Sequence, residues 1–190
     1  MHQKKFFIAD LHFGHNNIIK FTDHHDGTKL RPFDTLEDME DAMVQMHNEI
    51  VSPIDKVYML GDIALTQQGL DKVKQMNGIK ILVKGNHDTL KLHKYAEVFN
   101  DIRGCHVSNG LVFTHIPIHP SQLGRFGCNV HGHLHATSVW KDGARDPGFL
   151  CVSAEQTGLR PIEFEDVVER ILAQGGTIGM LDGNGTQPKK

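Results

Sequence analysis

Five short stretches place imidazole, carboxylate or amide side chains directly after apolar runs. They are Asp10 and His12 in "ADLH", Asp62 in "LGD", Asn86, His87 and Asp88 in "GNHD", His115 in "FTH", and His133 and His135 in "GHLH". A tight turn accounts cheaply for Gly, Asn and Asp at such points. It does not account for the histidines. Asp10, His12, Asp62, Asn86, His115, His133 and His135 offer nitrogen and oxygen donors and no thiolate. That set exceeds a four-coordinate structural zinc site and suits two ions sharing one carboxylate. Ions roughly 3.5–4 Å apart clamp the attacking and leaving oxygens of an in-line displacement at phosphorus. Asp10 and His12 are two apart, as are His133 and His135, and in extended backbone such pairs point the same way. Gly61, Gly85 and Gly132 would let the chain turn or approach closely.

The elements that must position these groups follow from hydrophobic periodicity. Apolar, β-rich runs fall at 4–10, 56–62, 79–88, 110–119, 128–135, 149–156 and 160–166. Their near-continuous apolar character predicts strands covered on both faces. Between them, 34–51 reads as a helix, with Asp34 and Glu37 as an approximate capping box. Its Leu36, Met39, Met43, Met46 and Ile50 fall along one face. Further helices are predicted at 70–76, at 90–99 and in "EDVVERILAQGG", which ends near Gly175 and Gly176. Strands alternating with helices predict a layered α/β fold. The strand-rich second half predicts a mixed sheet or two facing sheets. Ligands in such sheets bind beyond the carboxyl ends of the strands, where the polar residues lie. Residues 1–174 are expected to form one domain, and the Gly-rich stretch 175–190 a flexible tail.

Composition narrows the classes. The net charge of −3 gives no generic electrostatic footprint for a nucleic-acid polymer. No apolar stretch approaches the ~20 residues that span a bilayer, and the start "MHQKKFFIAD" has too short an apolar run for a signal peptide. An intracellular, cytoplasmic protein is therefore expected. Cys105, Cys128 and Cys151 are isolated, so buried reduced thiols are expected rather than disulfides or a zinc ribbon.

The order Asp-x-His, Gly-Asp, Gly-Asn-His-Asp, His, Gly-His-x-His from Asp10 to His135 resembles the calcineurin-like metallophosphoesterase family. "DLHFGHNNIIKF" followed by "RPF" is similar to its small bacterial and phage members. The resemblance implies two facing mixed β-sheets flanked by helices, with two divalent ions at the C-terminal ends of the strands. Asp10, His12 and His135 would hold one ion, Asn86, His115 and His133 the other, and Asp62 would bridge. His87 would be the general acid and Asp88 would orient it. Mn is the metal expected, with Fe, Zn or Ni as alternatives. The implied reaction is hydrolysis of a phosphodiester or phosphomonoester of a small, nucleotide-like substrate by metal-activated hydroxide. A nuclease acting on DNA or RNA is the alternative, and a non-catalytic scaffold of the same fold a further one. Many family members carry a second Asp after the Gly-Asp motif. Here Leu65 stands in its place, which leaves open what supports Asp62.

Several residues lie outside these motifs. Arg31, His119 and Arg125 are candidate phosphate or substrate contacts, since guanidinium binds phosphate bidentately. His15 could approach the metals from a surrounding position. His24 and His25 could belong to a substrate loop or to a solvated one. Trp140 reads as a packing residue rather than a stacking platform. His2, His47, His93 and His106 read as ordinary surface residues.

Overall fold

Alternation along the central strands sets the layers. In β1 (Lys5–Ile8), Phe6 and Ile8 point one way and Phe7 the other. Phe6 and Ile8 join Val57 and Met59 of β2 (Lys56–Met59) and Leu82 of β3 (Ile79–Val83) in one buried cluster. That cluster also takes Met39, Met43 and Val44 of α1 (Leu36–Ile50) and Leu70 and Val73 of α2 (Gln67–Lys74). Phe7, Tyr58 and Ile81 face the other way, onto Leu111, Phe113, Cys128 and Val130. Phe7 stacks on Tyr58 at 5.1 Å and on Phe113 at 4.7 Å. Burying each such ring is worth about 1.5–3 kcal/mol, so the two-sided apolar pattern is what the sandwich needs. The computed structural model describes residues 2–23 and 26–179.

The result is an α/β fold with mixed sheets flanked by helices. One sheet has the order β11-β1-β2-β3-β4, with β4 at Asp101–Arg103 and β11 at Ile162–Glu163. β1 to β4 run parallel and β11 is antiparallel. The second sheet has the order β10-β7-β6-β5, from β5 (His106–Ser108), β6 (Leu111–Thr114), β7 (Cys128–His131) and β10 (Phe149–Cys151). β6, β7 and β10 are parallel and β5 is antiparallel. β8 (Trp140–Lys141) and β9 (Ala144–Arg145) form a separate hairpin. The remaining α-helices described are α3 (Leu92–Ala96), α4 (Ala154–Thr157) and α5 (Phe164–Ala173). The two sheets are stitched together where β1 ends. Ala9 donates its N–H to the Val152 carbonyl at 3.0 Å, and Ala154 donates to the Ala9 carbonyl at 2.9 Å. The ligand-bearing loops after β1, β2, β3, β6 and β7 therefore meet across two sheets rather than along one.

Element boundaries differ from expectation for local reasons. α1 is capped by Thr35, whose hydroxyl accepts from the Asp38 N–H at 3.0 Å, one position later than the pair Asp34 and Glu37. Thr66 caps α2 in the same way and starts it at Gln67. The run at 160–166 is a strand only at Ile162–Glu163, because α5 begins at Phe164. Gly176 and Gly179 donate to the carbonyls of Ile171 and Gly110, so the beginning of the expected tail is tied to the body. Residues 180–190, like His24 and His25, lie outside the described residues. Among the described residues, no helix is long and apolar enough to cross a membrane. Cys128 and Cys151 are buried, whereas Cys105 is exposed.

Two histidines expected at the surface are packed instead. His106 stacks on Tyr58 with ring centroids 4.7 Å apart. His47 is fully buried on α1, with Nε2 2.9 Å from the Asn77 carbonyl. Burial pushes the His47 pKa down from 6.5 to about 4. Between those values the unfolded chain binds a proton that the folded chain does not, so stability falls as pH drops from about 6.5 to about 4. The full loss is on the order of 3 kcal/mol. Urea unfolding across that window should show a shallower pH slope in His47→Gln than in the parent protein.

Candidate metal centre

The expected ligands sit just past strand ends, and five of the seven are not in extended backbone. Asp10, His12, Asp62, His133 and His135 all have positive φ, between 50° and 71°. The two-residue spacing therefore works through left-handed turns, a correction to the extended-strand expectation. Such conformations cost on the order of 1–3 kcal/mol each and persist where the surroundings enforce them, commonly at functional sites. Asp and His tolerate them better than most residues. The β2 and β3 loops come so close that a Cβ on Gly61 would lie 2.7 Å from the Gly85 Cα and 2.6 Å from His115 Nδ1. Glycine is required there.

The side chains form two groups whose donor atoms lie within 4.8 Å of one another: Asp10, His12 and His135, and Asp62, His115 and His133. Both groups could hold a metal ion. Asp62 lies between them. Its Oδ2 is 3.2 Å from His115 Nε2 and 3.7 Å from His12 Nε2, and its Oδ1 accepts the His87 N–H at 2.7 Å. Asn86 joins the second group, with Oδ1 2.9 Å from His115 Nε2.

Polar bookkeeping fits cations. Asp10 Oδ2 accepts from the His133 N–H at 2.8 Å and the Ser153 hydroxyl at 2.6 Å. Its Oδ1 is buried with no hydrogen-bond partner, as are both ring nitrogens of His12. Buried polar atoms are rarely left so, and Asp10 Oδ1 is 3.8 Å from His12 Nε2. His115 Nδ1 is 2.8 Å from the Leu60 carbonyl. Donation there leaves Nε2 as a lone pair facing the Asp62 carboxylate. A second proton on the ring resolves that clash, and so does a divalent cation. In the bare chain burial would lower the His115 pKa, but the hydrogen bond and charge of Asp62, with Asp10, raise it overall. Burial would raise the Asp62 carboxyl, yet His115 holds it below the usual range.

The surrounding residues correct two assignments. Arg31 is fully buried and clamps no phosphate. Its guanidinium donates to the carbonyls of Leu11, at 2.7 Å, and Asp10, and to Glu155 at 2.8 Å. It thus fixes the turn that carries Asp10 and Leu11. Asp88 does not orient His87. Its carboxylate accepts the N–H groups of Asp62 at 2.9 Å, Ile63 at 2.9 Å and Gly85 at 2.8 Å, locking the β2 and β3 loops together. This is the support for Asp62 that Leu65 left unassigned. His87 is exposed, with its ring 5.5 Å from that of His12. His15 has its ring 5.4 Å from His12. His119 and Arg125 are exposed, His119 capping the 3-10 turn Pro120–Arg125 with its ring 2.8 Å from the Ser121 hydroxyl and Arg125 ending that turn.

Glu155 and Ser153 were missed, although the signal was present. They follow β10 just as the other polar groups follow their strands. Glu155 Oε1 lies 3.1 Å from His135 Nδ1, which leaves Nε2 as the ring nitrogen not engaged by Glu155. Burial would raise the Glu155 carboxyl, but His135 and Arg31 bring it down to about 2, so it stays ionised. Outer partners of this kind typically contribute 10–100-fold in metal affinity. Glu155→Gln should weaken binding at the His135 group by roughly that factor, measured by metal titration calorimetry.

A cleft of about 760 Å³ opens beside the centre, lined by His133 and His135 together with Phe21, Leu30, Leu134 and Trp140. Trp140 is 65% exposed there and does not pack as expected.

The chain matches no protein-family model. The uncharacterised protein MJ1445 of Methanocaldococcus jannaschii is 29% identical over 188 residues, spanning 95% of this chain and 97% of its own. The structure of AQ665 from Aquifex aeolicus, a protein of unknown function, superposes with a TM-score of 0.64 at 24% identity. It covers 88% of this chain and 99% of that one. The fold is therefore shared along nearly the full length of AQ665. An archaeal phosphodiesterase is more distant, with a TM-score of 0.45 and 18% identity over 80% of this chain and 82% of that one.

Proposed function

We propose that the protein is a metal-dependent phosphoester hydrolase with a dinuclear centre. The observation that carries this reading is Asp62, whose one oxygen faces His12 of the first group and His115 of the second. A carboxylate between two His/Asp clusters is the arrangement a bridged pair of ions needs. Asp10, His12 and His135 would hold one ion, and His115, His133 and Asn86 the other. Two bound divalent cations would supply an activated hydroxide and neutralise charge on the phosphate oxygens. The motif order from Asp10 to His135, which resembles the calcineurin-like metallophosphoesterases, supports the same reading.

The chain's own residues supply the remaining parts. In the hydrolysis a water oxygen bonds to phosphorus, the bond from phosphorus to the leaving oxygen breaks, and that oxygen takes a proton. His87 is exposed beside the first group and is held there by its own N–H on Asp62. It is the proton donor. Asp88, Arg31, Ser153 and Glu155 fix the ligands. The mildly acidic chain favours a small, nucleotide-like ester over a polymer, and manganese is the metal proposed for activity.

Protein stripped of metal and reloaded with Mn²⁺ tests this with bis-p-nitrophenyl phosphate beside p-nitrophenyl phosphate. Turnover that depends on added metal is expected. Preference for the diester makes the protein a phosphodiesterase and preference for the monoester makes it a phosphatase. Full metal loading with no turnover of either ester would overturn the hydrolase reading.

A further inference from the structure

The cleft beside the metal centre has a chemical character of its own. It starts at two metal-binding histidines, His133 and His135, and its other walls are largely apolar. Phe21 stands edge-on to the His135 ring, with centroids 6.4 Å apart at 86°, and edge-on to His15 at 5.9 Å and 82°. Trp140 lies on the β8–β9 hairpin, directly across from Arg145. Phe21 is 40% exposed and Trp140 65%. One exposed apolar side chain is ordinary. Two large rings open to solvent in a single cleft that borders the metal ligands are a surface kept for something apolar and flat.

Size and charge narrow the occupant. At about 760 Å³ the cleft lies within the range of small-molecule sites. Lys20 and Arg145 contribute cations to its wall and Asp23 an anion. Exposed rings beside cations and the hydroxyls of Thr22, Thr137 and Ser138, in a cleft next to a site for phosphate, fit an ester whose organic part is a flat aromatic heterocycle. Base–aromatic stacking is tolerant of base identity and worth about 1–3 kcal/mol per base.

We infer that this cleft binds the aromatic group of the phosphoester, a nucleobase or a similar heterocycle, with Trp140 as its stacking partner and Phe21 closing the side next to the metals. The inference rests on the phosphoester reading of the centre. It makes Trp140 a specificity-determining residue, outside the metal set and outside the proton transfer.

Trp140 is the single tryptophan of the chain, so its emission reports on the cleft directly. Zinc-loaded protein is titrated with adenosine monophosphate, ribose 5-phosphate and inorganic phosphate. A saturable change in emission with the nucleotide is expected, and at least roughly tenfold weaker responses with the two ligands that lack an aromatic ring. In steady-state assays Trp140→Ala should raise KM for aromatic and nucleotide esters about tenfold. Its metal content should be unchanged, and Trp140→Phe should recover part of the loss. Equal responses to adenosine monophosphate and ribose 5-phosphate, or no response to either, would overturn the inference while leaving metal-dependent hydrolysis standing. A nucleotide response in protein that turns over no phosphoester would instead sink the hydrolase reading, and with it the cleft's role as a substrate subsite.

Discussion

Exchanging Asp62 for Asn is expected to remove bound metal and to cut activity by at least about 100-fold, the loss that outer partners alone can cause. The substitution is a clean probe. Asp62 has φ 55°, and Asn tolerates that left-handed backbone as well as Asp does. The loop geometry and the Asp62 N–H bond to Asp88 at 2.9 Å are preserved. What changes is the charge on the atom 3.2 Å from His115 and 3.7 Å from His12. A neutral amide there offers at most one weak oxygen to one ion, so both groups lose their common anion. Elemental analysis after desalting gives metal per chain, and the diester assay gives turnover. Two ions retained in Asp62→Asn would mean that the groups bind independently and that the bridge does not exist.

How far the site could be read from the sequence depends on the kind of interaction. Candidate ligands could be picked out because metal chemistry restricts residue type and because strand ends are marked by an abrupt change from apolar to polar residues, and six of them fall into two groups that could hold an ion. The sandwich was legible because β1 buries Phe6 and Phe7 on opposite faces, which a sheet with one wet face would not need. The backbone carrying the ligands was not. Asp10 and His12 reach the same centre through left-handed turns, and two-residue spacing is silent on that. Roles set by long-range partners were equally hidden. Arg31 looks like an exposed phosphate ligand until Glu155, distant in sequence, is brought onto it. Asp88 looks like the partner of its neighbour His87 until the β2 loop presents the N–H groups of Asp62 and Ile63. His47 follows Met43 by four residues on the buried face of α1, yet its type reads as a surface residue until the Asn77 carbonyl is brought to its ring. In each case the chemistry of the side chain was readable and its partner was not.

His87→Ala should behave differently from Asp62→Asn, and the contrast separates proton transfer from metal binding. Loss of a general acid typically costs about 10²–10⁴-fold. The His87 side chain is exposed, and the structural bond at this position is made by its backbone N–H, 2.7 Å from Asp62 Oδ1. Alanine keeps that bond, so Asp62 remains in place and metal content should be unchanged. The size of the loss should depend on the leaving group. A nitrophenolate leaves readily without a proton, whereas the alkoxide of a nucleoside does not. The defect should therefore be mild with p-nitrophenyl esters and approach the upper end of the range with alkyl or nucleoside esters. A defect of the same size on both substrate types would mean that His87 holds the phosphate rather than delivering a proton. Loss of metal equal to that in Asp62→Asn would mean that the ring at position 87 belongs to the metal site itself.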